Sequence, residues 1–353
     1  MTIKSIKVYK KNLALTRPYT IAFRTISDVE SVFLEIELAN GIVGFGAANP
    51  AKEVVDEDAH ESFQNLQSDG IQKFVGRNIG EIFTMLNEIS IKFPHKPGTL
   101  AAMDIALHDA FCQYLGISIV QFYGKKHDKM ATSVTIGIKG VAETVEEAQE
   151  YFDRGFKVLK VKIGSNFNED IERLVKIRDT FGNKMKIRID ANQGYSAVQV
   201  RDLFQKTKKL NIEFFEQPTL VGTENEVQKL PISIRKRLAA DESLHDAEAA
   251  FQLAAKKTFG IFNIKLMKCG GISSAMEIAT IAKYSNTDLF WGCNDESIVS
   301  ITAALHAAFA CRHTKYIDLD GSLDLAQDVV KSGFILKKGV MSLPNKAGLG
   351  LVF

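Results

Sequence analysis

Three features that would point to particular classes of protein are missing from this sequence of 353 residues. It has no excess of charge, since the formal net charge is +2 without a basic run or tail, which argues against nucleic acid or an anionic membrane as a partner. It has no long apolar stretch, because the longest, residues 298–310, is interrupted by Ser300, Thr302 and His306, is too short to span a bilayer and is predicted to be a buried helix. It has only four cysteines and no CxxC motif, which disfavours a cysteine metal site. Together with an N-terminus that lacks the apolar core of a secretory signal, these absences predict a cytoplasmic protein.

What the sequence does contain is a series of short β-rich segments that carry ionisable side chains near their ends. The first, residues 156–163, reads FKVLKVKI, and its alternation places Lys160 and Lys162 on one face and apolar side chains on the other. Five more segments follow along the chain: KIRIDAN with Asp190, IEFFEQP with Glu216, RLAADES with Asp241, FNIKLMK with Lys265, and YIDLDG with Asp318 and Asp320. A lone lysine pair on a strand usually faces solvent, and it is the repetition that favours a shared functional edge.

The spacing of these segments predicts the fold class. From Asp190 to Lys265 the ionisable residues follow one another at intervals of about 25 residues, the length of one strand and one returning helix. Eight such units form an α/β fold, the (β/α)8 or TIM-type barrel, whose active site lies where the strands end. A barrel of about 200 to 250 residues leaves room for a second domain in this chain. We assign the catalytic barrel to residues 126–329.

Residues 1–125 have a different pattern, that of an α+β capping domain. Antiparallel strands come first and helical patterns follow. The predicted strands are residues 3–9, 32–38 and 42–47. The dipeptide Asn40-Gly41 between the last two favours a type I′ hairpin turn. A strand-like C-terminal tail, residues 330–353, is expected to complete the capping domain.

Two local predictions concern the ends of elements. Residues 16–27 are expected to form a long loop of the kind that carries binding residues. Thr144 and Glu147 have the spacing of a capping box, which predicts the start of the first barrel helix there.

Three carboxylates are expected to meet where neighbouring strands end: those of Asp190, Glu216 and Asp241. Without a counter-charge they would repel one another and take up protons. A hard dication removes this conflict, because oxygen ligands favour magnesium, manganese or calcium over zinc. A single acid at such a position is commonly a helix cap or a salt-bridge partner, but three in register predict a metal site.

Lys162 on the second strand and Lys265 on the sixth are expected to lie on opposite sides of that metal. A substrate carboxylate bound there has an acidified α-proton, because fixed positive charge stabilises the enediolate that forms when the proton leaves. The two lysines, with pKa values lowered by cationic neighbours and burial, can act as general base and general acid. Two bases on opposite faces are what a racemase or epimerase needs. Lys160 faces the same interior and is expected to stabilise charge.

These motifs, together with the segment NIKLMKCGG, resemble the muconate lactonising subgroup of the enolase superfamily. The resemblance extends over nearly the whole chain and includes a capping domain. It implies Mg²⁺, one ion per subunit, on Asp190, Glu216 and Asp241, and an acid/base pair formed by Lys162 and Lys265. Lys268 also matches the subgroup, but its spacing from Asp241 does not fit the base.

Asp318 and Asp320 distinguish activities within this subgroup. Two uncompensated carboxylates on the eighth strand suit an ammonium group, and the pair is similar to that of dipeptide epimerases, where it holds the α-ammonium of the N-terminal residue. The alternative is that one of them caps a turn before Gly321. The resemblance implies an isomerase that inverts the α-carbon of a dipeptide's C-terminal residue through an enediolate. Thr135 and Glu296 are also assigned to substrate binding.

The second residue of the dipeptide is the least constrained feature. Arg24, in the segment 16–27, is placed to meet a side-chain carboxylate, as in the L-Ala-D/L-Glu epimerases that this chain resembles. Those enzymes carry a lysine soon after the glutamate that matches Glu296, where this sequence has Ile298. The loss of that cation favours Ala-Ala or Ala-hydrophobic dipeptides.

Other activities stay open at this point. A muconate cycloisomerase or an o-succinylbenzoate synthase would use the same metal and lysines, but has less reason to place Asp318 and Asp320 at the pocket. A metal-independent aldolase would instead form a Schiff base on a lysine, which borohydride trapping would reveal. Assembly into a homo-oligomer is also left open.

Overall fold

The computed structural model describes residues 1–21 and 24–353, and the side chains of residues 17–26 lie outside this description. The strands are β1 (Ile3–Ile21), β2 (Arg24–Leu38), β3 (Val43–Ala48), β4 (Lys129–Ala131), β5 (Val134–Ile136), β6 (Val158–Lys162), β7 (Lys186–Asp190), β8 (Ile212–Glu216), β9 (Leu238–Ala240), β10 (Ile261–Ile264), β11 (Asp288–Trp291), β12 (Thr314–Ile317), β13 (Ile335–Lys337) and β14 (Val340–Ser342). The helices are α1 (Lys52–Val55), α2 (Ala59–Gln67), α3 (Asp69–Gln72), α4 (Ile82–Lys92), α5 (Pro97–Leu115), α6 (Ile119–Tyr123), α7 (Val141–Asp153), α8 (Phe167–Phe181), α9 (Ala197–Lys206), α10 (Glu224–Gln228), α11 (Ile232–Arg235), α12 (Ala247–Lys256), α13 (Leu266–Cys269), α14 (Ile272–Ser285) and α15 (Ile298–Ala310).

The N-terminal part is an antiparallel sheet covered by helices, as predicted. The sheet has the order β1-β2-β3, and α5 packs across it so closely that Gly44 and Gly46 leave no room for a Cβ against the helix. Two details differ from the prediction. The turn is not of type I′, because only Gly41 has a positive φ (86°) and Asn40 instead accepts the Ile42 N–H. The stretch expected to be a loop over residues 16–27 is mostly strand, since β1 and β2 continue toward each other.

The central element is an eight-stranded parallel sheet with the order β12-β11-β10-β9-β8-β7-β6-β5. A parallel bridge between Thr132 and Ile317 joins its two edges, so that the sheet curls into a barrel. Helices α7, α8, α9, α12, α14 and α15 follow β5, β6, β7, β9, β10 and β11 and bury apolar faces against the outside of the sheet, whereas β8 is followed by the short helices α10 and α11. The predicted (β/α)8-type barrel with an α+β cap is confirmed, and residues 298–310 form the buried helix α15.

The interior of the barrel is filled below the strand ends. Arg188 lies in a small apolar cluster, with its guanidinium 5.0 Å from the ring centroid of Tyr316 and 5.5 Å from that of Phe214. Its charge is balanced by Glu213, at 2.9 Å from Nε. This plug fills the barrel interior below the strand ends.

The C-terminal tail reaches both parts of the molecule. Strand β13 pairs with β14, and β14 pairs with β4, so these strands do not join the first sheet. The last residues turn to the cap instead, where Asp109 of α5 accepts the N–H groups of Leu349 and Phe45 at 2.7 and 2.9 Å. The tail therefore ties the barrel to the cap.

His306 of α15 is a second tie between these parts, and it predicts a pH-dependent stability. The Val120 N–H donates to its Nδ1 (3.1 Å), so Nε2 carries the proton and donates to the Leu349 carbonyl (3.2 Å). Burial lowers the pKa of His306 to about 4. The unfolded chain then binds more protons between the unfolded pKa and pH 4, so stability is expected to fall as pH decreases, by about 2 kcal/mol from pH 7 to pH 5.

Denaturant unfolding of the protein and of a His306→Gln variant at pH 7 and pH 5 measures this effect. Glutamine retains an acceptor and a donor but does not titrate, so the variant is expected to lose about 2 kcal/mol less than the parent over this range. Equal losses in the two proteins would show that His306 is not the group responsible.

None of the helices in the described ranges combines the length and the apolar character that crossing a bilayer requires.

Candidate active site

The ends of β6, β7 and β8 bring three ionisable side chains into one row. The residue pairing across the parallel strands sets Lys162 beside Asp190, and Asp190 beside Glu216. In parallel strands, residues that pair point to the same face, so all three side chains project into the barrel mouth. Asp190 and Glu216 are buried, whereas Lys162 is half-buried. The structure thus places these predicted site residues together.

The row continues through the residues that directly follow β9 and β10. Asp241 is buried, and its Oδ2 lies 2.8 Å from the ammonium of Lys265. Lys268, one turn further along α13, contacts the other oxygen of Asp241 and donates to the Asn263 carbonyl at 3.3 Å. The spacing of Lys268 from Asp241 did not indicate this contact, but its spacing of one helical turn from Lys265 is a signal that both lysines face Asp241.

The pKa values of Lys265 and Asp241 are set mainly by the charges of neighbouring side chains. Burial alone would lower the pKa of Lys265, but Asp241 and Glu216 together raise it. Burial would raise the pKa of Asp241, yet Lys265 and Lys268 hold it well below its ordinary value. The expectation that the pKa of Lys265 is lowered is therefore wrong for this arrangement, because the neighbouring carboxylates outweigh burial and nearby cations.

Lys160 lies at the centre of the carboxylates. It contacts Asp318 directly, and its Nζ lies 3.8 Å from Glu216 and 4.0 Å from Asp190. Burial would lower its pKa, but Asp318, Glu216 and Asp190 raise the pKa well above the ordinary value. Lys160 is therefore a fixed positive charge, as predicted from its inward-facing position.

The environment of Glu216 fits a bound cation. Burial and the charge of Asp190 raise its pKa well above the ordinary value. Asn263 donates to its Oε1, whereas Oε2 is buried without a hydrogen-bond partner. This oxygen has only the ammonium of Lys160 nearby, at 3.8 Å, and a buried carboxylate oxygen without a hydrogen bond among other carboxylates is a suitable ligand for a hard dication. Across residues 1–21 and 24–353, no three His, Cys, Asp or Glu side chains form a ready-made metal cluster, and lysines pair with the acids instead.

Asp318 and Asp320 have different environments, which the sequence pattern did not distinguish. Asp318 is compensated, since it pairs with Lys160 and accepts from Ser133 Oγ at 2.6 Å, and these partners hold its pKa below the ordinary value although burial would raise it. Asp320 is half-buried and accepts the Thr135 N–H at 2.8 Å. Burial and the nearby Asp318 raise the pKa of Asp320 to about 7. The expected pair of uncompensated carboxylates is thus reduced to Asp320 alone.

The remaining predicted residues flank this centre. Glu296 is buried in the loop between β11 and α15, accepts the Asn294 N–H at 2.7 Å and has its pKa raised by burial to about 7. Asn294 donates to the Asn49 carbonyl (3.3 Å), which ties this loop to the cap.

Glu242 was not predicted as a site residue. It is a further acid at the barrel mouth, and burial and the charge of Asp241 raise its pKa. The side chain of Arg24 lies outside the described residues.

Comparisons with known proteins agree with this geometry. Residues 3–124 match the family described as mandelate racemase / muconate lactonizing enzyme, N-terminal domain, and residues 143–353 match the enolase C-terminal domain-like family. The chain is 49% identical to an L-Lys-D/L-Arg epimerase of Desulforapulum autotrophicum over 99% of both chains. It is 32% identical to a hydrophobic dipeptide epimerase of Enterococcus faecalis, again over 99% of both. A crystal structure of a dipeptide epimerase from Methylococcus capsulatus, complexed with Mg and the dipeptide L-Arg-D-Lys, superposes with a TM-score of 0.98 at 45% identity and 100% coverage of both chains.

A barrel with acids and lysines at its strand ends, beneath an α+β cap, and with epimerases as full-length relatives defines an isomerase of the epimerase class. The chain belongs to the enolase superfamily.

Proposed function

We propose that this protein is a Mg²⁺-dependent dipeptide epimerase that inverts the α-carbon of the C-terminal residue. The observation that carries the proposal is the position of Lys162 and Lys265 at opposite ends of the row formed by Asp190, Glu216 and Asp241. The names of the full-length relatives favour epimerisation over the cycloisomerase, synthase and aldolase alternatives.

Asp190, Glu216 and Asp241 would hold the Mg²⁺ ion. Support comes from the buried Oε2 of Glu216, which has no hydrogen-bond partner, and from the oxygen-only donor set. When bound, Mg²⁺ would neutralise these carboxylates and stabilise negative charge on a substrate carboxylate.

The lysines move the proton. For one stereoisomer of the substrate, Lys162 removes the α-proton and Lys265 delivers a proton to the opposite face of the resulting enediolate, and for the other stereoisomer the roles exchange. Lys160, held by Asp318, stays protonated and stabilises the charge that develops on the substrate carboxylate.

The ends of the dipeptide are distinguished by charge. The C-terminal carboxylate lies on the side of Lys160 and the lysine pair. We assign the α-ammonium of the N-terminal residue to Asp320, whose carboxylate is half-buried and is held by the Thr135 N–H. Asp318 contributes indirectly, because its contacts are with Lys160 and Ser133.

For the side chains of the dipeptide, we propose a preference for lysine and arginine. Of the acids at the barrel mouth, Asp190, Glu216 and Asp241 would be neutralised by Mg²⁺, and Asp318 is paired with Lys160. The acids that are left are Glu242, Glu296 and Asp320, and carboxylates at these positions would suit a cationic ligand. The 49% identical relative is named for a Lys-Arg dipeptide, and the superposed structure holds L-Arg-D-Lys.

Ala-Ala or Ala-hydrophobic dipeptides are the second candidate. Ile298 at the start of α15 supplies no charge to the pocket wall, and a 32% identical relative is a hydrophobic dipeptide epimerase. The same residue is compatible with the first candidate, because a wall without a lysine does not repel a cationic side chain.

A dipeptide panel with Mg²⁺ separates these candidates. We expect kcat/KM for L-Lys-L-Arg and L-Arg-L-Lys to exceed that for L-Ala-L-Ala and L-Ala-L-Leu by at least about tenfold, since one desolvated charge pair contributes more than about 1.4 kcal/mol. The measurement is the incorporation of deuterium at the α-carbon in heavy water, followed by NMR.

Each group of dipeptides in the panel tests a different outcome. The preference for the cationic dipeptides should shrink at high salt, whereas the rates for L-Ala-L-Leu should not change. Faster turnover of L-Ala-L-Leu would favour the second candidate. A clear preference for L-Ala-L-Glu would contradict both.

We also propose that residues 1–125 and 330–353 act as the capping unit over a barrel formed by residues 126–329. The contact of Asp109 with Leu349 supports the assignment of the last residues to the cap, although β14 also pairs with β4 of the barrel segment. A cytoplasmic location is proposed because all four cysteines are free thiols.

A further inference from the structure

A buried polar cluster lies behind Lys162, outside the row of site residues. It consists of Asp170 and Arg173 on α8 and Tyr195 in the loop after β7, and all three side chains are buried. Arg173 and the hydroxyl of Tyr195 both contact Asp170. Buried charged groups of this kind are costly unless paired, so the cluster calls for an explanation.

The cluster is bonded to the backbone that carries Lys162. Arg173 donates from Nη1 to the carbonyl of Lys162 at 3.0 Å. Asp170 accepts the N–H of Gly164 at 2.9 Å, and between these two contacts the N–H of Ile163 donates to the Asp190 carbonyl at 2.8 Å. Three consecutive residues at the end of β6 are thus fixed, which sets the direction in which the Lys162 side chain leaves the backbone.

Gly164 shows how tightly this turn is held. Its φ is 113°, and an added Cβ would lie 2.6 Å from the carbonyl oxygen of Ala191. The turn after β6 is therefore in close contact with the turn after β7. Asp170 bridges the same two turns, because it contacts both Gly164 and Tyr195.

Lys162 and Lys265 are held in different ways. The ammonium of Lys265 is held at its tip by Asp241, at 2.8 Å. Within the described part of the chain, no carboxylate lies within ion-pairing distance of the Lys162 ammonium. The direction of Lys162 therefore depends on its backbone, whereas that of Lys265 does not depend on the α8 cluster.

We propose that Arg173, held by Asp170, is a positioning residue for Lys162 and controls proton transfer on one face of the substrate only. The proposal rests on the proposed two-lysine epimerase function. It gives the cluster a role in the reaction, beyond the stability of the barrel.

The test compares the two stereoisomers of one substrate, L-Lys-L-Arg and L-Lys-D-Arg, by deuterium exchange at the α-carbon in heavy water with Mg²⁺. Variants Lys162→Ala and Lys265→Ala first identify which isomer loses its proton to which lysine. In Arg173→Met, exchange from the isomer assigned to Lys162 is expected to fall by about 100-fold, as a displacement of about 1 Å can produce. Exchange from the other isomer should change by no more than about twofold. In Arg173→Lys, which retains a donor for the Lys162 carbonyl, part of the lost rate should return.

Arg178 provides a matched control on the same helix. It also donates to backbone carbonyls, those of Leu210 and Met185 at 2.9 Å, but at the opposite end of α8. Arg178→Met is expected to lower the melting temperature while leaving the ratio of the two exchange rates unchanged.

The outcomes separate this inference from the proposed function. If Lys162→Ala does not abolish exchange from one isomer selectively, the two-lysine mechanism fails. If Lys162→Ala does abolish exchange from one isomer, but Arg173→Met slows exchange from both isomers equally or from neither, the positioning role of Arg173 is wrong. Should Arg173→Met not fold, Asp170→Asn replaces it, because asparagine keeps an acceptor for the Gly164 N–H but loses the ion pair with Arg173, and the same unequal effect on the two isomers is expected.

Discussion

Replacing Lys162 by alanine is expected to remove α-proton exchange from one stereoisomer of the dipeptide, and replacing Lys265 is expected to remove it from the other. Each lysine can reach only its own face of the α-carbon, because Lys162 and Lys265 stand at opposite ends of the carboxylate row. General acid and base contributions of this kind amount to about 100- to 10,000-fold each. Epimerisation needs both lysines, so both variants should lose turnover by at least about 1,000-fold, while each retains exchange from one isomer.

The measurement is NMR of the α-proton signal of each isomer in heavy water. Lys157→Ala is a suitable control, because Lys157 is exposed just before β6 and its ammonium lies over the ring of Phe152 at 3.9 Å, away from the site. This variant should exchange both isomers at the parent rate. Complete loss of exchange from both isomers in each single lysine variant would indicate that one lysine alone, or another group, removes the proton.

The position of the site could be predicted because it follows from the periodicity of the barrel. Strands that recur at even spacing in a parallel sheet end on the same edge, and this places Asp190 and Glu216 side by side irrespective of the details of packing. The same rule predicts that Lys162 and Lys265 lie at this edge of the sheet. These assignments needed only the strand period and the direction of the chain.

The partners of the charged side chains could not be predicted in the same way. Lys160 pairs with Asp318 and Lys268 pairs with Asp241, although several carboxylates are within reach of each long side chain. Which pair forms depends on the position of each side chain in the barrel and on which carboxylate oxygen already accepts another hydrogen bond. For this reason Asp318 was expected to be free and is not.

The ends of β1 and β2, at residues 16–21 and 24–27, show another limit of the sequence. This segment was expected to be a loop, and it contains Pro18, which cannot donate to a strand ladder. In the structure Pro18 falls between Ala14 and Tyr19, where the register of β1 against β2 shifts. Contacts with a distant segment also support the strand, because the Thr16 N–H donates to the Asp324 carbonyl at 2.7 Å. Local sequence patterns do not indicate contacts of this kind with distant segments.

The start of α7 was misplaced for a local reason. Thr144 and Glu147 match the capping-box spacing, but the helix begins at Val141, where the Gly140 N–H donates to Glu143 at 3.2 Å. The hydroxyl of Thr144 donates to the Gly140 carbonyl from within the first turn. The segment contains two overlapping capping patterns, Gly140 with Glu143 and Thr144 with Glu147, and the helix begins at the first of them.

Removing divalent cations is expected to abolish activity, and Mg²⁺ is expected to restore it and to raise the melting temperature. The largest effect is expected at Glu216, because burial and Asp190 raise its pKa and its Oε2 has no hydrogen-bond partner. A ligand that binds only the folded state stabilises it by about 2.7 kcal/mol at 100 times its dissociation constant.

In Glu216→Gln, both the Mg²⁺-dependent rise in melting temperature and the activity should be lost. In Glu213→Gln, on the same strand but beside Arg188, the rise should persist even though the variant starts from a lower stability. Because melting reports binding without turnover, an unchanged Mg²⁺ response in Glu216→Gln would show that the ion binds elsewhere, even if activity were lost.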